Sequence, residues 1–221
     1  MRGYFESVTD LATDAANFHQ AVLEHATEHD RSLPCFLLAH STGCLQALEL
    51  AADEERRALY SGVTMVSPFF AFNDMDEAQR QVSLMKAVSY FVKTANVRNF
   101  KPAVNHRYFY SHWLNDELVP LDMPMKSHVA LFEAVTKIQD NIIYSQDMRT
   151  LSSLSHLPLL FLLGHQDFTA DPAAALHAYK RLATADKNII EYDECDHFVL
   201  GDGEWVDFVV KDIAAWQDIR G

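Results

Sequence analysis

At 221 residues, 49% of them hydrophobic and 22% charged, the chain has enough apolar material for one sizeable core. A net charge of −13 argues against nucleic acid as a general partner, and no apolar run approaches the roughly 20 residues that span a bilayer. Three scattered cysteines (Cys35, Cys44, Cys195) lack CxxC spacing, which argues against a disulfide framework or a zinc site and for a reducing compartment. The opening MRGYFESVTD shows no secretory h-region, so a cytoplasmic location is expected.

In chain order, Ser7 to Asp10 has the S-x-x-D form of a helix start, with Leu11, Ala15, Phe18 and Val22 following at helical spacing. After Pro34, CFLLA reads as a short strand buried on both faces. From Thr42 the pattern turns helical, with Leu45, Leu48 and Ala51 or Ala52 inward, up to the DEERR run. GVTMVS (62–67), LPLLFLLG (157–164) and NIIEYD (188–193) are further strands. DPAAALHAYKRL is a helix with Asp171 as N-cap and Pro172 in the first turn. EWVDFVVKDIAAW is amphipathic, with Trp205, Phe208, Val209, Asp212 or Ile213, and Trp216 on one stripe. Strands alternating with helices predict an α/β fold with a parallel sheet and crossover helices.

The stretch 72–150 breaks this alternation. It is rich in aromatics (Tyr90, Phe91, Phe100, Tyr108, Phe109, Tyr110, Trp113) and in methionines (Met85, Met123, Met125). Val129, Phe132, Val135 or Thr136, Gln139 and Ile143 suggest a helix near its end. An insertion of this length reads as a lid over the strand ends, between core segments 1–71 and 151–221 of a single domain. Between Ala78 and Asn115 no Asp or Glu occurs, whereas Arg80, Lys86, Lys93, Arg98, Lys101 and Arg107 do. Two readings stay open: a solvated face, or a basic, aromatic surface for an anionic or lipid substrate.

The stretch FLLAHSTGCL places Ser41 between a strand and a helix. A nucleophilic hydroxyl needs such a cramped turn, where a base reaches one side and a substrate carbonyl the other. The close approach of strand and helix requires small residues two before and two after the serine, here Ala39 and Gly43. A serine also needs a histidine base oriented by a carboxylate. If the fold is the one in which such a turn carries a hydrolase nucleophile, the acid and then the histidine follow in chain order after later strands. Asp167, in GHQD after the third strand, and His197, in DECDHF after the fourth, hold those places. His40 and His165 flank the site with poor orientation towards Ser41, and Asp171 is better used as a helix cap. Asp193 and Asp196 adjoin the histidine without following the preceding strand. The bland readings are a turn-former at Asp167 and a polar loop residue at His197. Cys44, one helical turn past Ser41, reads as a packed thiol.

With these motifs in place, the chain resembles the α/β-hydrolase superfamily, specifically its monoacylglycerol lipase and lysophospholipase-like (serine aminopeptidase-like) branch. RGYFESVTDL, FLLAHSTG, GVTMVSPF, NDELV, LPLLFLLGHQDFTADP and YDECDHF run through nearly the whole chain in family order. The resemblance implies an α/β-hydrolase parallel sheet with flanking helices and a helical lid insertion. It also implies hydrolysis of carboxylic esters through an acyl-enzyme, typically of lysophospholipids or monoacylglycerols. Ser41, Asp167 and His197 inherit the triad roles and the Thr42 N–H that of oxyanion donor, with no metal and no cofactor. The implied partner is a small-molecule acyl ester or lipid, with peripheral membrane contact through the basic lid. An aminopeptidase or thioesterase shares the same triad.

One departure accompanies the resemblance. In the family the RGYF segment lies well inside the chain, after a strand whose HG-type turn supplies a second oxyanion donor. No HGxxG-like stretch precedes Ser41. An N-terminally incomplete hydrolase is therefore expected, with the outer edge of the CFLLA strand unpaired unless a complementing chain or a swapped dimer covers it. Its alternative function is that of a catalytically impaired remnant or an interaction module.

Overall fold

A computed structural model of the chain describes residues 3–97, 123–140, 157–201 and 203–221. Helix α1 (Val8–His25) starts where Ser7 and Asp10 cap each other reciprocally, and α2 (Glu28–Arg31) repeats the device with Thr27 and Asp30. Strand β1 (Phe36–His40) runs into α3 (Gly43–Ala52), and α4 (Glu54–Arg57) leads to β2 (Gly62–Val66). Then come α5 (Met75–Ser89), the two-residue strands β3 (Asn96–Val97) and β4 (Met123–Pro124), and α6 (Met125–Ile138). The chain finishes with β5 (Leu159–Gly164), α7 (Pro172–Arg181), β6 (Lys187–Tyr192) and α8 (Val206–Asp218).

Four strands form a parallel sheet in the order β1-β2-β5-β6, while β3 and β4 pair antiparallel. The register pairs His40 with Val66, Val66 with Leu162, and Gly164 with Tyr192. The carboxyl ends of all four strands thus meet along one border of the sheet, where the following loops converge.

Alternation along the strands separates two apolar layers. Val63, Met65, Leu159, Phe161 and Leu163 pack with residues of α1, α3, α6 and α7 on one face. Val66, Leu160 and Leu162 meet Val209, Ile213 and Trp216 of α8 on the other. Strands β2 and β5 are buried along their whole length, as near-continuous apolar parallel strands should be.

Strand β1 is not, contrary to the reading of CFLLA as buried on both faces. Leu38 is 49% exposed and only Ala39 is fully buried. Leu38 shares the face of Phe36, which α8 reaches, but α8 packs chiefly on the other three strands. Among the described residues β1 has a partner on one side only. Two helical stripes also need correction. Phe18 (73% exposed) and Val22 face solvent, because α1 enters the core only through Val8 and Ala12. Phe208 is exposed too, since the inward stripe of α8 is Val209, Ile213 and Trp216.

From the stretch between β2 and β5, α5 and α6 pack on each other through Val82, Met85, Val129 and Phe132. Val129, Phe132, Val135 and Gln139 are buried as the spacing requires, and Ile143 lies outside the described residues. Three cations of the acid-free segment are paired: Arg80 with Glu77 at 2.8 Å, Lys86 with Glu133 at 3.0 Å and Lys93 with Glu6 at 4.0 Å. All are exposed pairs of the kind worth about 0–1 kcal/mol, which favours the solvated-face reading for this part. Arg98, Lys101 and Arg107, with Phe100, Tyr108, Phe109, Tyr110, Trp113 and NDELV, lie outside the described residues.

Candidate active site

Ser41 follows the last residue of β1 in a left-handed conformation, with φ of 56°. A non-glycine residue there is strained by about 1–2 kcal/mol, and the surroundings hold it. Its N–H donates to the Val66 carbonyl at 2.9 Å, and its own carbonyl accepts from Cys44 and Phe69. The turn is less cramped at Gly43 than the motif leads one to expect: a Cβ there would stand 4.0 Å from that of Ala39. That spacing is ordinary contact, so the pair is close without excluding a methyl group.

The structure brings Ser41, His197 and Asp167 into one line. His197 Nε2 lies 2.7 Å from Ser41 Oγ, and His197 Nδ1 lies 2.7 Å from Asp167 Oδ2. Asp167 and His197 are 7% and 4% exposed. A carboxylate only accepts, so the Nδ1 proton faces Asp167 and the Nε2 lone pair is left to take the Ser41 hydroxyl proton. The other oxygen of Asp167 accepts from the Thr169 and Ala170 N–H groups at 2.8 and 2.9 Å. Both amides are aimed at that one oxygen and so fix the orientation of the carboxylate.

Each partner is delivered by a loop at the sheet's carboxyl border. Asp167 stands just beyond β5, and His197 just beyond β6. These loops touch: a Cβ added to Gly164 would come within 2.3 Å of the Asp196 carbonyl and 2.5 Å of the Cys195 carbonyl. Only glycine allows the histidine-bearing loop to cross the end of β5 so closely. The segment after β2 ties the acid from the other side. Phe72 bridges to Ala170, Asp171 N–H donates to Ala71, and Asn73 Nδ2 donates to the Asp167 carbonyl at 3.4 Å.

The competing residues are used elsewhere. His165 Nε2 lies 2.9 Å from Glu191, Asp171 caps α7 through the Ala173 N–H, and Asp196 accepts from the Phe198 N–H. Asp193 is exposed. Cys44 is fully buried, and burial pushes its thiol well above the ordinary range, as for a packed thiol. His40 does not reach Ser41; its Nε2 lies 2.9 Å from the His197 carbonyl. Sequence reasoning therefore missed Gly164, Asn73 and the contact made by His40. A glycine at a strand end was the one visible signal.

At the start of α3, which has no side-chain cap, the Thr42 N–H has no backbone acceptor among the described residues. This is the end of a helix at which the dipole favours negative charge. A cleft of about 310 Å³ opens beside the acid's loop, lined by Phe72, Asn73, Glu77, His128, Phe168 and Thr169 among others. Neither Ser41 nor His197 lines it. No group of three or more metal-ligating side chains exists among the described residues. No described helix is long and apolar enough to cross a membrane.

Comparison with known structures gives matches across nearly the whole chain. A monoacylglycerol lipase of Paleococcus ferrophilus superposes with a TM-score of 0.72 at 20% identity, over 95% of this chain and 76% of that one. A soluble variant of monoglyceride lipase from Saccharomyces cerevisiae, in complex with a substrate analogue, gives 0.80 at 15% identity, over 100% and 72%. A thermostable carboxyl esterase from Bacillus coagulans in complex with glycerol gives 0.68 at 14% identity, over 98% and 73%. Among curated protein sequences none matches the chain. At these identities the structures speak for the fold, which is that of the α/β-hydrolases. The family model described as serine aminopeptidase, S33 (Hydrolase_4) matches residues 1–204, and the chain belongs to that family.

Proposed function

We propose that the chain is a serine hydrolase that cleaves carboxylic esters through an acyl-enzyme, with lysophospholipids or monoacylglycerols as its substrate class. The observation that carries this reading is the unbroken line Ser41–His197–Asp167, with both links at 2.7 Å. His197 Nε2 takes the Ser41 proton as Oγ attacks the acyl carbonyl. The Thr42 N–H receives the developing oxyanion, and His197 returns the proton to the leaving alcohol. Water activated by the same imidazole then releases the acid. The lipid class is supported by the monoacylglycerol lipases among the structural matches. Tyr90 and Phe91, 81% and 83% exposed at the end of α5, support contact with a lipid surface. A fluorophosphonate probe should label the wild-type chain and not Ser41→Ala; an unlabelled wild type would end the reading.

One observation favours a second reading, an impaired hydrolase. Among the described residues β1 has no partner on its outer side, the side on which the resemblance places a second oxyanion donor. Lacking one such donor costs about 10²–10³ in kcat. Turnover of a p-nitrophenyl ester by wild-type protein not exposed to the probe separates the two readings. The family description keeps an aminopeptidase open as well, and an aminoacyl p-nitroanilide tests it against the ester.

A further inference from the structure

We propose that His40 is a positioning residue, whose imidazole holds the loop carrying His197 against the end of β1. This rests on the hydrolase reading of the Ser41 site. His40 Nε2 lies 2.9 Å from the backbone carbonyl of His197, 157 residues away in the chain. A carbonyl accepts, so Nε2 carries a proton and donates it. The two imidazole rings lie 5.1 Å apart, and Phe198 closes on His40 at 5.7 Å. Burial is the largest influence on His40 and favours its neutral form; the hydrogen bond to the His197 carbonyl opposes it, as do Asp167 and Asp196, while the charge of the His197 ring acts with burial.

The geometry gives this contact its meaning. His40 and Ser41 are consecutive, so one dipeptide carries both the hydroxyl and the anchor for the base that must reach it. The Oγ to Nε2 separation of 2.7 Å is thereby set through a single peptide unit and one hydrogen bond. Without the anchor, its alignment would depend on the longer route through β2, β5 and β6. His197 has further supports in Asp167 and in the edge of Phe69 at 6.4 Å. Neither fixes the backbone at residue 197. A base displaced by about 1 Å is expected to lose roughly 10²-fold in rate.

Three variants test the proposal. Glutamine places an amide N–H where Nε2 stands, leucine fills the volume with no donor, and asparagine has a donor that is too short. Positioning predicts that His40→Gln keeps kcat within a few-fold, while His40→Leu and His40→Asn each lose roughly tenfold to a hundredfold with KM little changed. A packing role would instead make leucine the best replacement, and that order would overturn the proposal. A second readout needs no turnover. The low-field proton resonance of the His197 Nδ1–H to Asp167 bond should persist in wild type and His40→Gln and weaken in His40→Leu. If the wild type shows that resonance but takes no fluorophosphonate, the hydrolase reading fails while the anchor stands. If labelling is normal and the resonance is unchanged in His40→Leu, the anchor fails alone.

Discussion

Two turns at the carboxyl border of the sheet are near copies of each other. After β1 the chain passes through Ser41 with φ of 56°, and after the adjacent strand β2 through Ser67 with φ of 43°. Both follow apolar strands, and both N–H groups donate to the neighbouring strand, to Val66 and Leu162. Their hydroxyls differ. That of Ser41 meets His197, whereas that of Ser67 is buried and has no hydrogen-bond partner among the described residues. Backbone strain and a serine are therefore not enough to bring a hydroxyl against an imidazole. The difference comes from what the later loops deliver: the loop after β6 brings an imidazole to one turn and nothing to the other.

The largest expected effect comes from exchanging the two serines in turn. In the ester assay, Ser41→Ala should lower kcat by roughly 10⁶-fold. Ser67→Ala should leave it within a few-fold and should raise stability, since it removes a buried unpaired hydroxyl worth about 1–3 kcal/mol. Strong inactivation by Ser67→Ala would break the comparison.

Next in size is Gly164→Ala. Its methyl would meet the carbonyls of Cys195 and Asp196, which are backbone and cannot rotate away. The loop must lift, and His197 with it. A kcat loss of about 10² and a stability loss of about 1–3 kcal/mol should accompany each other, read from turnover and thermal melts.

Ser67→Gly removes the same hydroxyl and relieves the left-handed strain as well, so it should exceed Ser67→Ala by about 1 kcal/mol, or roughly 2–4 °C in Tm for a chain of this size. Ser41→Gly should gain similarly and lose activity, which would show strain retained at the functional turn and merely tolerated at the other.

The smallest effect concerns pH, and only the first turn has a titratable ring beside its serine. Burial holds His40 below its ordinary 6.5, and His128 likewise. The unfolded chain then binds protons that the folded chain refuses, so stability is full above pH 6.5 and is lost as pH falls below it towards the depressed folded values. Melts at pH 7.5 and 5.5 should differ in that direction. His40→Gln should narrow the gap without closing it, because His128 remains; an unchanged gap would sink the assignment to His40.

What the sequence revealed was local or ordered along the chain. The strand, the cramped serine and the helix lie within ten residues, and Asp167 and His197 could be placed because each follows its own strand. The caps at Ser7 and Asp171 were legible for the same reason. What escaped depends on distant segments meeting. His40 gains its role from a carbonyl on another loop, and Gly164 from the crossing of residues 195 and 196. The exposure of Leu38 and Phe18 is set by which neighbours cover them, and apolar periodicity carries no information about that.

The two amides that grip one oxygen of Asp167 reach further than anchoring the carboxylate. They leave the second oxygen to accept from the imidazole. An isosteric asparagine at 167 would have to offer its NH₂ either to those amides or to the imidazole, and in both places a donor already stands. The ring would be driven to carry its proton on the side facing Ser41, so the smallest possible edit to this carboxylate should turn a base into a blocked one with scarcely a change of shape.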